Sequence, residues 1–212
     1  MLSALMLATT IMVTPSSGSR PDPLLSAIAH FRTIESYRAT IHSKHPDGEE
    51  HIRYYYRKPG FVRMEFINPH DGAVLIYNPL TQSTRLWPFG VDRFPELSLS
   101  PENSLIRSLS GLRVDQSDVG MLFENIRTLK EGGSFEILRE ENMGGHATLH
   151  FIVTGASGIS VAGVHLSEMW LDMASQFPVK VISRDQQDAI IETVMMENLE
   201  VNVKLPETLF NP

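Results

Sequence analysis

The 212-residue sequence contains no cysteine. Disulfide bonds, zinc sites with cysteine ligands, thiol catalysis and a lipid-modified cysteine are therefore excluded for this chain. Positive charge is also scarce, because 18 Lys and Arg stand against 25 Asp and Glu, which gives a formal net charge of -7. Phosphate binding needs a basic surface, so this balance argues against a nucleic-acid partner and against a general attraction to anionic lipid head groups.

Hydrophobic runs long enough for a membrane-spanning helix are missing too. The apolar run Leu2–Val13 has the length of the hydrophobic part of a secretory signal. Small and polar residues follow over Thr14–Ser19, as in a cleavage region, although no Lys or Arg precedes the run. We predict a signal peptide and processing region over residues 1–20 and a single exported, soluble domain over residues 21–212. The alternative is a buried N-terminal helix, which two threonines and a proline in this stretch disfavour.

Three segments of the domain have the spacing of apolar residues that is typical of helices. The first, Asp22–Ser36, begins with an aspartate that can cap it and with a proline at the first helical position. The other two, Pro101–Leu109 and Ser117–Lys130, lie in the middle of the chain. In the last of them Ser117 or Asp115 can act as the cap, and two glycines end the pattern.

The rest of the domain is predicted to form strands. Neighbouring strands in the first half are separated by two to five turn residues, so they are expected to pair in sequence order as an antiparallel meander. The first-half strands are YRATIHSK, EEHIRYYYRK, FVRMEFI, AVLIYNP and QSTRLWPF. The second-half strands are SFEILREE, HATLHFIVT, LSEMWLDM, PVKVISRD, AIIETVMM and LEVNVK.

Apolar and polar side chains alternate along these strands, which predicts a sheet with one dry and one solvated face. About ten such strands would curl under their own twist, and three short helices would cover only about half of the dry face. Either the sheet closes on itself or part of its dry face surrounds a ligand. On one predicted face lie Ile52, Tyr54, Tyr56, Val62, Met64 and Phe66, and on the other Arg53, Tyr55, Arg57, Arg63 and Glu65.

Motifs for catalysis or metal binding are weak. His146 and His150 lie on a predicted strand, where four residues span about 13 Å, so they lack the spacing of helical metal ligands. The segment GASGIS lacks the glycine that follows the serine of a nucleophile elbow. Glu140 and Glu141 are adjacent on a strand and point to opposite faces, so they cannot act on one substrate atom. We therefore expect a non-enzymatic protein with no catalytic residues, no metal site and no cofactor.

Three stretches resemble the LolA/LolB-like family of periplasmic lipoprotein carriers. They are YYYRKPGFVRMEFINP, DGAVLIYNPLTQSTRLWP and EMWLDMASQFPVKVISRDQQDAIIETVMMENLEVNVKLPETLF, of which the third is the most specific. Together they extend over most of the domain, from Tyr37 to Phe210. The resemblance implies an α+β fold, an unclosed antiparallel β-barrel (half-barrel) with helices covering its concave face and an apolar cavity for acyl chains.

The resemblance also implies a function. It predicts a monomeric periplasmic carrier or chaperone that binds acyl chains of lipoproteins or other lipids during outer-membrane lipoprotein sorting. An inner-membrane donor and an outer-membrane acceptor would be its partners. The lack of cysteine departs from the membrane-anchored LolB type. Relatives with this fold also act as stress sensors, so the alternative is a regulatory module that senses envelope lipids or lipoproteins and acts through a protein partner.

The dry face and the resemblance together give candidate residues for the cavity and for its lid. The two mid-chain helices stand where the family places lid helices, and a lid-latching arginine is expected on an early strand. Arg53, Arg57 and Arg63 are all candidates for this latch. The predicted cavity residues are Tyr54, Tyr56, Val62, Met64, Phe66, Ile76, Leu86, Leu122, Phe123, Phe151, Met169 and Met195.

Overall fold

The computed structural model describes residues 21–212, so the predicted signal peptide over residues 1–20 lies outside the described part of the chain. Helix α1 (Pro23–Phe31) begins as predicted, with proline in its first turn and the Asp22 carboxylate accepting hydrogen bonds from the first backbone N–H groups of the helix. It ends at Phe31 rather than Ser36, because the chain from Ser36 onwards pairs with the sheet as its first strand.

One antiparallel sheet of eleven strands is the main structural element of residues 21–212. Its spatial order is β6-β5-β4-β3-β2-β1-β11-β10-β9-β8-β7, so each half of the chain forms a meander and β1 pairs with β11 to join the halves. The predicted first-half meander is confirmed. The strands are β1 (Ser36–His45), β2 (Gly48–Arg57), β3 (Phe61–Asn68), β4 (Val74–Asn78), β5 (Ser83–Trp87), β6 (Leu97–Leu99), β7 (Ser134–Met143), β8 (His146–Thr154), β9 (Leu166–Asp172), β10 (Pro178–Arg184) and β11 (Ile190–Val201).

The sheet is open, and the predicted α+β half-barrel is confirmed. Between the edge strands β6 and β7, the chain crosses the concave face as a covering segment, residues 100–133, which contains helix α2 (Val119–Lys130). The cap of α2 is Asp118, not Ser117 or Asp115. The helices in the described part of the chain fall short of the length and hydropathy that a membrane span requires.

The predicted helix Pro101–Leu109 is wrong. Only a single 3-10 turn, Ser104–Ile106, forms there, and a second one follows at Val114–Gln116. The side chain of Asn103 caps the first turn through the backbone N–H of Leu105, but the next residue after the turn is already extended. The covering segment is therefore mostly irregular chain before α2 begins.

An aromatic cluster fills one end of the space between the sheet and the helices. The ring of Phe31 on α1 lies 5.8 Å from that of Tyr56 and 6.4 Å from that of Phe123 on α2. The ring of Tyr37 stacks on Tyr56 at 5.1 Å and meets Phe177 edge-on at 5.2 Å. Large buried rings in offset or edge contact contribute strongly to a core, so this end of the half-barrel is solid.

The convex face carries a smaller apolar cluster under the C-terminal segment. Phe210 is 3% exposed and packs with Val74, Ile76 and Trp87. The guanidinium of Arg63 donates to the carbonyl oxygen of Leu209 at 2.8 Å and so fixes this segment to the sheet. Strand β4 is consequently buried on both faces.

Candidate ligand-binding cavity

A cavity of about 580 Å³ lies between the concave face and the covering segment, next to the aromatic cluster. This volume falls within the range of sites for small organic ligands. Strands from both halves of the sheet line it, with apolar side chains that include Ile41, Leu75, Val181 and Met196. Ile126 of α2 closes it from the other side. The cavity therefore has an apolar wall and an apolar roof.

Two buried tyrosines connect the sheet to the covering segment. The hydroxyl oxygen of Tyr54 lies 3.1 Å from that of Ser117, and the hydroxyl of Tyr37 accepts a hydrogen bond of 3.2 Å from the backbone N–H of Val119. Burial, followed by the nearby charge of Asp118, raises the pKa of Tyr54. Burial likewise raises the pKa of Tyr37. Both phenols therefore stay neutral and remain able to make these contacts at neutral pH.

The cavity remains open because α1 and α2 pack over only part of the concave face. The side chains of α1 do not line it, since that helix covers the aromatic end, and α2 lines it with one side. Short turns and loops cover the remainder, and side chains such as Leu105 and Leu109 are 66% and 47% exposed there. Such a roof can move with less loss of packing than a pair of well-packed helices.

No protein-family model and no curated protein matches this sequence. Solved structures do match it over most of its length. An uncharacterized conserved protein from Thermus thermophilus aligns at TM-score 0.54 and 10% identity, over 89% of this chain and 91% of that chain. MucB in the MucA/MucB complex of Pseudomonas aeruginosa aligns at TM-score 0.54 and 12% identity, over 88% of this chain and 59% of that chain. The Mycobacterium tuberculosis lipoprotein LppX aligns at TM-score 0.51 and 12% identity, over 86% and 97%.

The chain shares the open half-barrel fold of these solved structures. The resemblance in the sequence is thus confirmed at the level of the fold. Identities of 10–12% establish this architecture alone, because one fold serves many functions. The function of this chain therefore has to follow from its own cavity.

Five of the twelve predicted cavity residues line the cavity. Tyr54 and Met64 are cross-strand partners on β2 and β3, and Leu86 lies opposite Leu75 on the next pair of strands. Their shared face follows directly from the alternation along each strand. The five are Tyr54, Met64, Phe66, Leu86 and Leu122.

Five other predicted residues point inward but pack in the hydrophobic core and do not line the cavity. Tyr56 and Phe123 belong to the aromatic cluster around Phe31. Phe151 packs on the ring of Phe135 at 5.2 Å, in a part of the sheet that α2 contacts. The group placed in the core, away from the cavity lining, is Tyr56, Val62, Phe123, Phe151 and Met169.

Two predicted cavity residues lie on the wrong face. Ile76 is buried in the convex cluster beneath Phe210, because Leu75 is the β4 residue opposite the inward Met64. Met195 pairs with His42 and is 37% exposed, whereas its neighbour Met196 is buried and lines the cavity. Both predictions are wrong, because the adjacent residue on the strand, Leu75 or Met196, is the one that lines the cavity.

The lid-latch prediction is wrong for all three arginines, since each lies on the convex face. Arg53 is exposed and 3.8 Å from Glu65, and Arg63 contacts the same carboxylate at 2.8 Å. The guanidinium of Arg57 lies 4.8 Å from the ring centres of Phe61 and Phe210. Arg57 and Arg63 contact the C-terminal segment, whereas the contacts from the sheet to the covering segment described above come from Tyr54 and Tyr37.

Several polar residues of the cavity were not predicted from the sequence. Ser43, Glu50 and Glu192 line it although all three are polar. Each occupies an inward position, two residues beyond an apolar inward neighbour, and this alternation was the signal that could have identified them. The described residues include no cluster of three or more His, Cys, Asp or Glu that could hold a metal ion.

Proposed function

We propose that this protein is a non-enzymatic carrier that binds acyl chains of lipoproteins or other lipids in the cavity. The observation that carries the proposal is the apolar cavity of about 580 Å³ between the sheet and the covering segment. A core that needed only stability would close such a space, since packed interiors contain few voids larger than a water molecule.

The energy of such binding comes from removing hydrocarbon from water. Each buried methylene contributes about 0.8 kcal/mol, so ten methylenes contribute about 8 kcal/mol before the cost of ordering the chain. No covalent bond or specific polar contact is needed for the chain itself. The irregular roof around Leu105 and Leu109 gives a route by which a chain enters and leaves.

The place of action in this proposal is the periplasm, and the process is lipoprotein sorting. The support is the apolar run near the start of the sequence together with the LolA/LolB-like fold. An inner-membrane donor and an outer-membrane acceptor complete the proposal. Transfer would then consist of shielding the chains between two membranes.

Binding of a fluorescent fatty acid, with native mass spectrometry of protein from an exporting host, tests the proposal. Leu86→Trp places a larger side chain in the cavity, and we expect it to weaken binding at least tenfold. Leu80→Trp is the matched control, because Leu80 is 73% exposed in a turn outside the cavity. Equal binding by both variants, or no bound lipid and no fatty-acid binding by the unmodified protein, would contradict it.

A second candidate is a regulatory module that acts through a protein partner. Phe89 and Phe94, in the loop between β5 and β6, are 60% and 93% exposed, and large exposed apolar side chains favour protein contacts. The match to MucB, a protein solved in complex with MucA, supports the same candidate. Crosslinked pull-downs from periplasmic extract should then recover a signalling protein that is lost with Phe94→Ala and kept with Leu80→Ala.

A further inference from the structure

The concave face changes from apolar to polar near one end of five neighbouring strands, at the same level on β9, β10 and β11 and displaced by two residues between β11 and β1. On each of these strands the last apolar side chain has a polar side chain two residues away, towards the same end of the sheet. The apolar residues are Ile41, Ile52, Met169, Val181 and Val194, and the polar ones are Ser43, Glu50, Ser167, Ser183 and Glu192. With His45 at the end of β1, these five polar residues are called the polar band.

Register aligns the polar band on β9, β10 and β11 and again on β1 and β2, whereas between β11 and β1 the band is offset by two residues, because Ser43 lies opposite Val194. Ser167 on β9 lies opposite Ser183 on β10, and Ser183 lies opposite Glu192 on β11. Ser43 on β1 lies opposite Glu50 on β2. All except His45 line the cavity, at the end that is furthest along the strands from the aromatic cluster.

Three residues of the polar band are buried, and Glu50, Ser183 and Glu192 are partly buried. Ser167 is 2% exposed, Ser43 6% and His45 7%. The side chain of Glu192 is 13% exposed. Burial of so many polar groups is unfavourable unless hydrogen bonds or charges compensate for the lost water.

The hydrogen bonds within the band compensate only in part. The hydroxyl of Ser43 donates to Oε1 of Glu192, and Nε2 of His45 lies 3.1 Å from the same oxygen. Both of these hydrogen-bond contacts of Glu192 therefore involve Oε1. Oγ of Ser167 is fully buried and has no hydrogen-bond partner among the described residues, so it is a polar atom on the cavity wall that the protein leaves unsatisfied.

The charge of the band is negative. The band contains two carboxylates, Glu50 and Glu192, and one imidazole, that of His45. His70 also lines this part of the cavity. Burial, and then the charge of Glu192, raises the pKa of Glu50, whereas His45, His70 and the backbone N–H of Leu109 act to lower it. A positive group between the two carboxylates would relieve this repulsion.

The lysine and the two arginines that line the cavity are engaged elsewhere, and the guanidinium of Arg113 pairs with Asp115 and Glu102. The ammonium group of Lys180 lies 4.6 Å from the Trp170 ring centre, on the convex face. The guanidinium of Arg107 donates to the carbonyl oxygens of Glu102 and Gly111 within the covering segment. The imidazoles of His45 and His70 are the basic groups that act on Glu50, and a cationic ligand would add the charge that Lys180, Arg107 and Arg113 do not bring to the band.

We propose that the polar band binds the head group of an amphiphile whose hydrocarbon chain occupies the apolar part of the cavity, and that this head group is a protonated amine. The inference rests on the proposed function, since it requires a hydrocarbon chain in the cavity. The ammonium group donates to the free carboxylate oxygens and to Oγ of Ser167, which has unused acceptor capacity.

The test compares three probes of equal chain length, dodecylammonium, dodecanol and dodecanoate, below their micelle concentrations, by displacement of an apolar fluorescent reporter. We expect the unmodified protein to bind the ammonium about tenfold more tightly than the alcohol, and the carboxylate most weakly, because charge-assisted hydrogen bonds are the strong ones. Glu192→Gln and Glu50→Gln preserve shape and remove one charge each. They should abolish most of the ammonium preference and leave dodecanol binding unchanged.

Glu200→Gln is the matched control, because Glu200 lies on the same strand as Glu192, is 51% exposed and pairs with Arg38 on the convex face. It should keep the full preference for the ammonium probe. An equal loss in Glu200→Gln would show that net charge alone attracts the amine and would overturn the inference. Dodecanol binding without any ammonium preference would overturn the inference and leave the carrier proposal standing. Absence of binding by all three probes would remove both.

Discussion

The hydroxyl oxygen of Tyr54 lies 3.1 Å from that of Ser117 and so joins the second strand of the sheet to the segment that covers the cavity. The neighbouring contact, from the backbone N–H of Val119 to the hydroxyl of Tyr37, is different in kind. The hydroxyl of Ser117 has a second partner, because it also donates to the carbonyl oxygen of Val114. The backbone N–H of Val119 donates to the hydroxyl of Tyr37.

Removing the two hydroxyls should therefore have unequal effects. Tyr37→Phe leaves a buried backbone donor unsatisfied, and we expect it to lower the free energy of unfolding by about 1–3 kcal/mol. Tyr54→Phe should lower it by about 1 kcal/mol or less, since Ser117 keeps its other partner. Urea denaturation measures both, with Tyr55→Phe on the convex face as a control. A larger effect for Tyr54→Phe would contradict this assignment.

Gly120 in the first turn of α2 permits close packing of the two helices. A Cβ at this position would lie 2.5 Å from a ring carbon of Phe31. In an exposed helix, alanine would stabilise by about 1 kcal/mol relative to glycine. We expect the opposite sign for Gly120→Ala, a loss of stability in urea denaturation, because the ring of Phe31 is fixed within the aromatic cluster. A stabilised variant would show that the cluster rearranges freely.

Asp118, the cap of α2, should give stability a characteristic dependence on pH. Burial raises its pKa, although the backbone N–H groups of Met121 and Gly120 act to lower it. The folded protein then binds more protons than the unfolded chain between the ordinary pKa and the raised one, so this site reduces stability as pH rises through that interval. Asp118→Asn keeps a capping group without titrating. We expect its stability relative to the unmodified protein to increase with pH across this interval and to be constant above it.

Asp172 should change the stability of the protein with pH in the opposite direction to Asp118. Burial acts to raise its pKa, but hydrogen bonds from Ser175 and the contact with His146 outweigh burial and hold the pKa below its ordinary value. Its contribution is present above the ordinary pKa and is lost as pH falls through the lowered pKa. The stability of Asp172→Asn relative to the unmodified protein should therefore increase towards acid pH, as measured by denaturation between pH 2 and 7.

Phe210 should be important for stability and unimportant for binding. It is buried on the convex face, with the guanidinium of Arg57 over its ring and Phe61 beside it. Phe210→Ala should lower the free energy of unfolding by about 3 kcal/mol, in the range of large-to-small core changes. The affinity for a fluorescent fatty acid should be unchanged in the folded protein, because the cavity is on the other side of the sheet. Leu80→Ala is the exposed control and should change neither quantity.

The sequence predicted the sheet well where one face is covered and one is solvated. In β2 and β3, Tyr54 and Met64 alternate with charged residues, and both lie inward as expected. The same reasoning fails at Ile76, because the C-terminal segment buries the outer face of β4 and removes the alternation. It fails at Met195 because two methionines are adjacent and only the pairing of Ile41 with Met196 decides between them.

The polar band was missed for a different reason. Apolar side chains were taken as the mark of the inner face, so Ser43 and Glu192 are not among the predicted cavity residues. Their burial depends on the covering segment and on the pairing of β1 with β11, and both are tertiary features that local patterns do not contain. The failed helix at Pro101–Leu109 has a similar cause, since a tertiary position over the cavity holds that chain in turns.

The pairing of β1 with β11 also bears on how the chain reaches its native state. Tyr37 and Val201, at the two ends of the domain, are partners in the middle of the sheet. A ribosome would release the first six strands with the edge of β1 unpaired, and that edge is satisfied only when the last strand has been synthesised. Folding is therefore expected to be slow and largely post-translational, and nascent chains would depend on chaperones to avoid intermolecular strand pairing.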